Sequence, residues 1–182
     1  GAVVYLYVDD PVAKHTFLES AKAKGYDVLV MDGQLDNHYM GWYESKHEKE
    51  RFVRVDSDVI DKLIQKEESM KMSLTEAQQE LLTPVFESQM PKDDKIHYNI
   101  SFEAMSPDEA PVVITQNEFM RRMKEMARTS GGGMSQFYGQ MPDNFTIAVN
   151  ANHPIVIDIL ADVEKAYGDK LKTTTKKIDA AV

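Results

Sequence analysis

Two uninterrupted apolar runs separated by an amphipathic stretch, followed by short alternating segments interleaved with helical patterns, predict an α/β chain, α+β overall. Residues 1–70 are expected to form a small three-layer βαβ unit with a helical connector. Residues 71–182 are expected to form an α+β unit with a small three-stranded sheet and amphipathic helices. With 42% hydrophobic and 28% charged residues, the chain has the composition of an ordinary globular protein and can bury a core. Its net charge of -9 repels phosphate backbones and anionic bilayers, so neither nucleic acid nor a membrane is an expected partner. The lack of cysteine excludes disulfides and thiol chemistry and fits a reducing compartment. No apolar run approaches the roughly 18 residues of a membrane span. The opening GAVVYLYVDD lacks the basic head and cleavage pattern of a signal peptide, so a cytoplasmic location is expected.

The run VVYLYV, Val3 to Val8, reads as a strand covered on both faces, and Asp10-Pro11 supplies a cap and first-turn pair for a helix closed by Gly25. Ala13, Phe17 and Ala21 recur along that helix, and Tyr26 to Met31 is again continuously apolar, which completes a parallel βαβ unit. A second helix is expected from Gln34 to Glu44, with Leu35, Tyr39, Trp42 and Tyr43 on one face, and a strand from Arg51 to Val55. The charge-rich stretch from Asp56 to Lys71 suits a helical connector. Beyond it, Leu74 to Gln89 is helical with a kink or restart at Thr83-Pro84, and strands are expected at Lys95 to Phe102, Pro111 to Thr115 and Phe145 to Asn150. Asn152 would cap a helix from His153 to Tyr167 whose buried line is Ile155, Ile159 and Val163, and the Lys-rich tail from Gly168 resembles an unfinished helix.

The most distinctive stretch is Asn117 to Met141, which holds Met120, Met123, Met126, Met134 and Met141 of the chain's 11 methionines. On a helix, Phe119, Met120, Met123, Met126 and Ala127 fall within an arc of about 120°, and Arg121, Arg122, Lys124, Glu125 and Arg128 take the other side. Periodicity leaves two readings open. The apolar face is core, or it is an adaptable binding surface of the kind that methionine suits because it is flexible and polarizable. Thr129 to Asn144 is expected to be a loop, with Gly131 to Gly133 a mobile turn rather than a phosphate cradle, because no Lys-Ser/Thr pair follows.

Candidates for chemistry are few. Asp9, Asp10 and Asp32 at strand ends resemble the Mg²⁺-holding corner of a receiver domain, but Asp10 serves equally as a helix cap and no strand-terminal Thr or Lys completes the set. The histidines at 15, 38, 47, 97 and 153 have no metal-ligand spacing, and there is no nucleophile elbow. Neither catalytic residues nor metal ligands are assigned.

Three stretches, YLYVDDPVAKHTFLESAKAKGYDVLVMDGQLDNHYMGWY, APVVITQNEFMRRMKEMAR and NFTIAVNANHPIVIDIL, occur in the order found in the bacterial heat shock protein 90 family of molecular chaperones, the HtpG proteins, and the chain resembles that family over nearly its whole length. The resemblance implies a fragment in which Gly1 to about Val55 ends the middle domain and the chain from about Leu74 belongs to the C-terminal domain. It implies no ATPase activity and no cofactor here, because in this family the site for ATP and Mg²⁺ and the assisting arginine precede the position of Gly1. It also implies that the helices pairing two protomers lie mostly beyond Val182, so the homodimer belongs to the intact protein. Non-native client proteins are the implied partners. The Met helix of the family faces the dimer cleft, which implies client contact by Phe119, Met120, Met123 and Met126. A second family patch falls on Asp36 to Tyr43, where the sequence departs: the position of a tryptophan in some bacterial members aligns with His38, and Trp42 lies one turn further on. Tyr39, Met40 and Trp42 are the contacts expected there. The alternatives are a purely structural or dimerisation module, with the Met face buried, and a receiver-like Mg²⁺-binding domain.

Overall fold

The central strand of the first sheet, β1 (Val3–Val8), is apolar on both faces because both are covered. In the computed structural model, which describes residues 3–64, 70–130 and 133–179 and leaves out the side chains of 129, 130, 133–136 and 168–179, β1 is flanked by β2 (Leu29–Val30) and β3 (Glu50–Arg54). The order is β2-β1-β3 and both pairings are parallel, with Tyr7 opposite Leu29 on one side and Arg54 on the other. Leu6 and Val8 pack on one face with Ala21 of α1 (His15–Ala23), Val53, Val55 and residues of α3 (Ile60–Leu63). Tyr7 packs on the opposite face with Phe52 and with Met40 of α2 (Asp36–Lys46). The expected three layers are therefore present.

Local chemistry sets the ends of these elements. The Asp10 carboxylate accepts from the amides of Val12 and Ala13, at 3.0 and 2.9 Å, but these close a turn and the regular helix begins only at His15. At its other end Gly25 takes φ +81°, and the Gly25 and Tyr26 amides donate back to Lys22 and Ala21 in the paired bonds of a Schellman motif. The strand expected over Tyr26 to Met31 is reduced to Leu29–Val30, and both side chains are exposed. Its apolar run suggested cover on both faces, but β2 is an edge strand with a neighbour on one side only. The expected connector from Asp56 also differs, because Ile60 and Leu63 are buried in the first core and Val59 is buried too.

The second sheet has the order β4-β6-β5, from β4 (Ile96–Glu103), β5 (Val112–Gln116) and β6 (Asp143–Asn150), the three strands expected from the sequence. Helix α4 (Glu76–Glu87) starts with a Thr75/Gln78 capping box and runs through Pro84 as one helix, so of the kink or restart expected there the restart does not occur. Helix α5 (Glu118–Ser130) is followed by α6 (Gly133–Gln140), so most of the expected loop from Thr129 to Asn144 is helical; Gly131 and Gly132 lie outside the described residues. The last helix, α7 (Pro154–Asp179), continues past Tyr167. Among the described residues no helix is long and apolar enough to cross a membrane.

Two compact units emerge, and neither is a single run of sequence. The first comprises Gly1–Glu67, Lys92–Asn99 and Ile114–Thr146, and the second Glu68–Pro91, Ile100–Val113 and Ile147–Val182. They do not coincide with the consecutive stretches 1–70 and 71–182, because α5, late in the sequence, is bonded to the first sheet. In the second unit the start of α7 differs in register from expectation. His153, not Asn152, occupies the cap, its Nδ1 accepting from the Ile155 amide at 3.1 Å. The Asn152 side chain instead accepts from Ser73 N and donates to the Lys71 and Met105 carbonyls. Val156 and Leu160 are buried and Ile155 is exposed, one residue off the expected line. Val156→Ala is therefore expected to cost about 1–3 kcal/mol in chemical denaturation, whereas Ile155→Ala should stay within about 0.5 kcal/mol of the wild type.

Candidate functional site

Helix α5 docks with its charged side inward. At 100° per residue, Glu118, Arg121, Arg122 and Glu125 share one arc, the arc that meets β1, β3 and α2. Arg121 and Arg122 are 5% and 9% exposed. Glu118 is the hub. Its Oε1 accepts from Tyr7 Oη at 2.7 Å, Arg121 Nη2 at 2.8 Å and Arg122 Nε at 2.6 Å, and its Oε2 accepts from the Arg54 amide at 3.1 Å and from the Ser57 hydroxyl. Arg121 also donates to Tyr7 Oη and to Glu125 Oε2, the latter at 2.7 Å, and Asn37 of α2 donates to the same Glu125 oxygen at 2.8 Å. Arg122 reaches Glu44 Oε2 and the Phe52 carbonyl, both at 2.8 Å, and its Nη2 touches Met40 Sδ at 3.6 Å.

These bonds finish the outer edge of β3. The amides of Val3 and Val55 donate across the β1–β3 pair, so the odd-numbered residues of β3 face β1 and the even-numbered ones face away. On that outer side Phe52 N donates to Glu44 Oε1 at 2.7 Å, Phe52 O accepts from Arg122, and Arg54 N donates to Glu118. Side chains from α2 and α5 stand where a fourth strand would bond.

Burial alone would raise the pKa of Glu118, but Arg121, the Ser57 hydroxyl, Arg122 and Tyr7 more than reverse it and hold the carboxyl below its ordinary 4.5. Burial and the neighbouring Glu118 charge push the Tyr7 phenol upward. Removing ions from water is costly unless each is paired, and here each guanidinium has at least two partners, although Arg121 Nε has none.

The apolar arc of α5 is consequently left outside the ionic contact. Phe119 is 63% exposed; Met120, Met123 and Met126 are half-buried; Ala127, at the arc's far side, is buried, and α6 packs against the helix. Four such side chains left in water would forgo roughly 4–8 kcal/mol of burial, so their partial exposure is a real cost to a marginally stable domain. On α2, Tyr39 and Trp42 are 48% and 58% exposed and belong to a ladder of rings in which Tyr39 lies 6.1 Å from Trp42 and 6.0 Å from Tyr43, and Tyr43 stacks on His47 at 4.2 Å. Met40 is 1% exposed, under Arg122 and beside Tyr7 and Phe52, and so has no surface for a partner. It leaves the contact set, because the turn that presents Tyr39 outward points its neighbour at the sheet. A cleft of about 400 Å³, lined by Gly33, Gln34, Asn37, His38, Glu125, Met126 and Arg128, separates the start of α2 from the end of α5.

The acidic corner is committed elsewhere. Asp9 accepts from Arg54 at 2.5 Å and pairs with Lys14 at 2.8 Å, and Asp10 holds the turn amides. Burial would raise the Asp9 pKa, but Lys14 and Arg54 lower it overall. Among the described residues no group of three or more acidic or histidine side chains is placed to hold a metal. The ionic hub was the part sequence reasoning missed. Its i,i+4 pairs, Glu118–Arg122 and Arg121–Glu125, are visible in the sequence but look the same on a solvated face.

The chain matches the profile of the Hsp90 protein family over residues 7–179, and it belongs to that family. It is 44% identical over 185 residues to the chaperone protein HtpG of Bacteroides fragilis strain 638R, covering 98% of this chain and 27% of that protein. Over 166 residues it is 46% identical to chaperone protein HtpG of Bacteroides thetaiotaomicron, covering 91% of this chain and 24% of that protein. It is 39% identical over 178 residues to chaperone protein HtpG of Porphyromonas gingivalis strain ATCC 33277, covering 98% of this chain and 26% of that protein. The chain thus spans about a quarter of the length of these relatives.

A carboxylate held below its ordinary pKa by the fold adds stability that is full above that ordinary value and is lost as pH falls through the native one. Glu118 and Asp9 both contribute in this sense, and their contributions are lost as pH falls below 4.5 and 3.8 respectively. Urea unfolding followed from about pH 7 to about pH 3 should show wild-type stability declining across that acid window, and Glu118→Gln should lower stability at neutral pH and flatten the decline.

Proposed function

We propose that this chain is the client-contacting part of an Hsp90-type chaperone, holding partly folded proteins against the outward apolar arc of α5, with Phe119, Met120, Met123 and Met126, and against Tyr39 and Trp42 of α2. The observation that carries the proposal is the exposure of Phe119 beside half-buried methionines on a helix whose charged side is the packed one. Apolar side chains held partly in water at a cost to stability fit a binding role, and methionine and aromatic surfaces repack around dissimilar partners. The naming of similar proteins as chaperones supports the same reading. In this reading 1–70 is the end of a middle domain with its connector and 71–182 a C-terminal domain. ATP and Mg²⁺ act, and the homodimer closes, through parts of the protein outside this chain, which binds without catalysing. The competing structural or dimerisation module would keep the methionines covered.

Dilute peroxide followed by mass spectrometry separates these readings within one sample, with exposed Met70 and buried Met105 as internal standards. Client contact expects Met120, Met123 and Met126 to oxidise nearer the rate of Met70; rates like that of Met105 would favour the structural module. In an aggregation assay with a heat-denatured test protein, the Phe119→Ser/Met123→Ser double variant should need roughly 5–30 times more chaperone for equal suppression, the equivalent of about 1–2 kcal/mol of lost contact. Suppression equal to wild type would remove α5 from the contact surface.

A further inference from the structure

We propose that Glu118 is the positioning residue for the apolar arc of α5: its carboxylate, shared by Tyr7, Ser57, the Arg54 amide, Arg121 and Arg122, fixes the rotation of the helix that exposes Phe119 and leaves Met123 half-buried. This inference rests on the contact surface proposed above and names what sets its orientation.

An amphipathic helix beside a sheet ordinarily buries its apolar arc, which requires nothing but water to drive it. Helix α5 instead turns its charged arc to the sheet and leaves the apolar one half-buried, and the feature that opposes the default is at its first residue. Glu118 lies one residue before Phe119, so its angular setting and that of the arc are rigidly linked by about 100° of helix. Its two oxygens accept from donors on β1, on β3, on the turn after β3 and on α5 itself, a set of directions that only one rotation of the helix satisfies. The partners on α5 are one turn on, at Arg121 and Arg122. These continue the contact to Glu125 and Asn37 on one side and to Glu44 and the Phe52 carbonyl on the other, so the lock extends along the inward arc. Without the Glu118 charge, two buried guanidiniums share too little negative charge, and the arc that holds them loses its advantage over the apolar one.

The experiment is peroxide footprinting of Glu118→Gln, with the charge-balanced Glu118→Gln/Arg121→Gln alongside it. In the single variant the oxidation rates of Met120, Met123 and Met126 relative to Met70 should change by at least about threefold, and Met40, which Arg122 covers, should lose protection while Met105 keeps its own. The double variant, with one anion and one cation removed together, relieves the charge imbalance but not the loss of the carboxylate's bonds, so it should stay shifted at the same methionines while Met105 keeps its protection. A single variant within about 1.5-fold of wild type at all three α5 methionines, or a double variant that returns to the wild-type profile without the carboxylate, overturns the proposal. If Glu118→Gln does not fold, Glu118→Asp carries the comparison: it keeps the charge but is one methylene too short to meet all five donors, so an unchanged profile there overturns the proposal equally. The footprint needs no client. A shifted footprint in the variant with no aggregation suppression by the wild type would uphold the positioning role and refute the client reading.

Discussion

The architecture of the first unit depends on a largely buried carboxylate meeting two buried guanidiniums. Glu118 is held in its charged form by Arg121 and Arg122, and through them α5 is tied to β1, β3 and α2 at once. Ionic contact of this kind is poor adhesive compared with an apolar interface of the same size, since desolvating each ion costs several kcal/mol before any pairing. What it supplies is orientation. Hydrogen bonds to carboxylate and guanidinium are directional, whereas methionines would accept many rotations of the helix with similar energy.

Satisfying charged groups inside leaves the apolar groups outside, and α2 shows the same division on a smaller scale. Met40 and Glu44 point at the sheet, while Tyr39 and Trp42 face outward and are supported from behind by Tyr43 stacked on His47. Adjacent helices thus offer two kinds of apolar surface, one flexible and one ringed, both mounted on a parallel sheet of three strands. The sheet accounts for the rigidity of the mount, because β1 is buried on both faces and its two neighbours run parallel to it in fixed register.

Much of this was legible in the residues. The run VVYLYV announced a strand with two covered faces, Gly25 announced the helix end it makes with a positive φ, and the alternation from Ile96 to Phe102 gave its strand directly. The misplacements have local causes. Tyr26 to Met31 is as apolar as β1 and nothing in composition says that it lies at an edge. At the start of α7, two polar residues in sequence, Asn152 and His153, compete for one cap, and the long-range bonds of Asn152 to Lys71, Ser73 and Met105 decide the outcome and shift the buried line by one residue. The inward side of α5 was hidden for a deeper reason. Helical periodicity separates charged from apolar residues but assigns neither to the interior, and the usual assumption fails when the interior supplies matching polar and charged partners, as Tyr7, Glu44 and the Phe52 carbonyl do here.

The occupied outer side of β3 has a further meaning for a protein proposed to keep company with unfolded chains. Such chains are rich in extended segments whose amides and carbonyls lack partners, and a bare strand edge would recruit them irreversibly, turning a transient host into a seed for mixed aggregates. On β3 the outward amides of Phe52 and Arg54 and the Phe52 carbonyl are already taken by Glu44, Glu118 and Arg122. A visiting chain therefore meets side chains it can leave, at Phe119 or Trp42, and finds no backbone ladder there to extend.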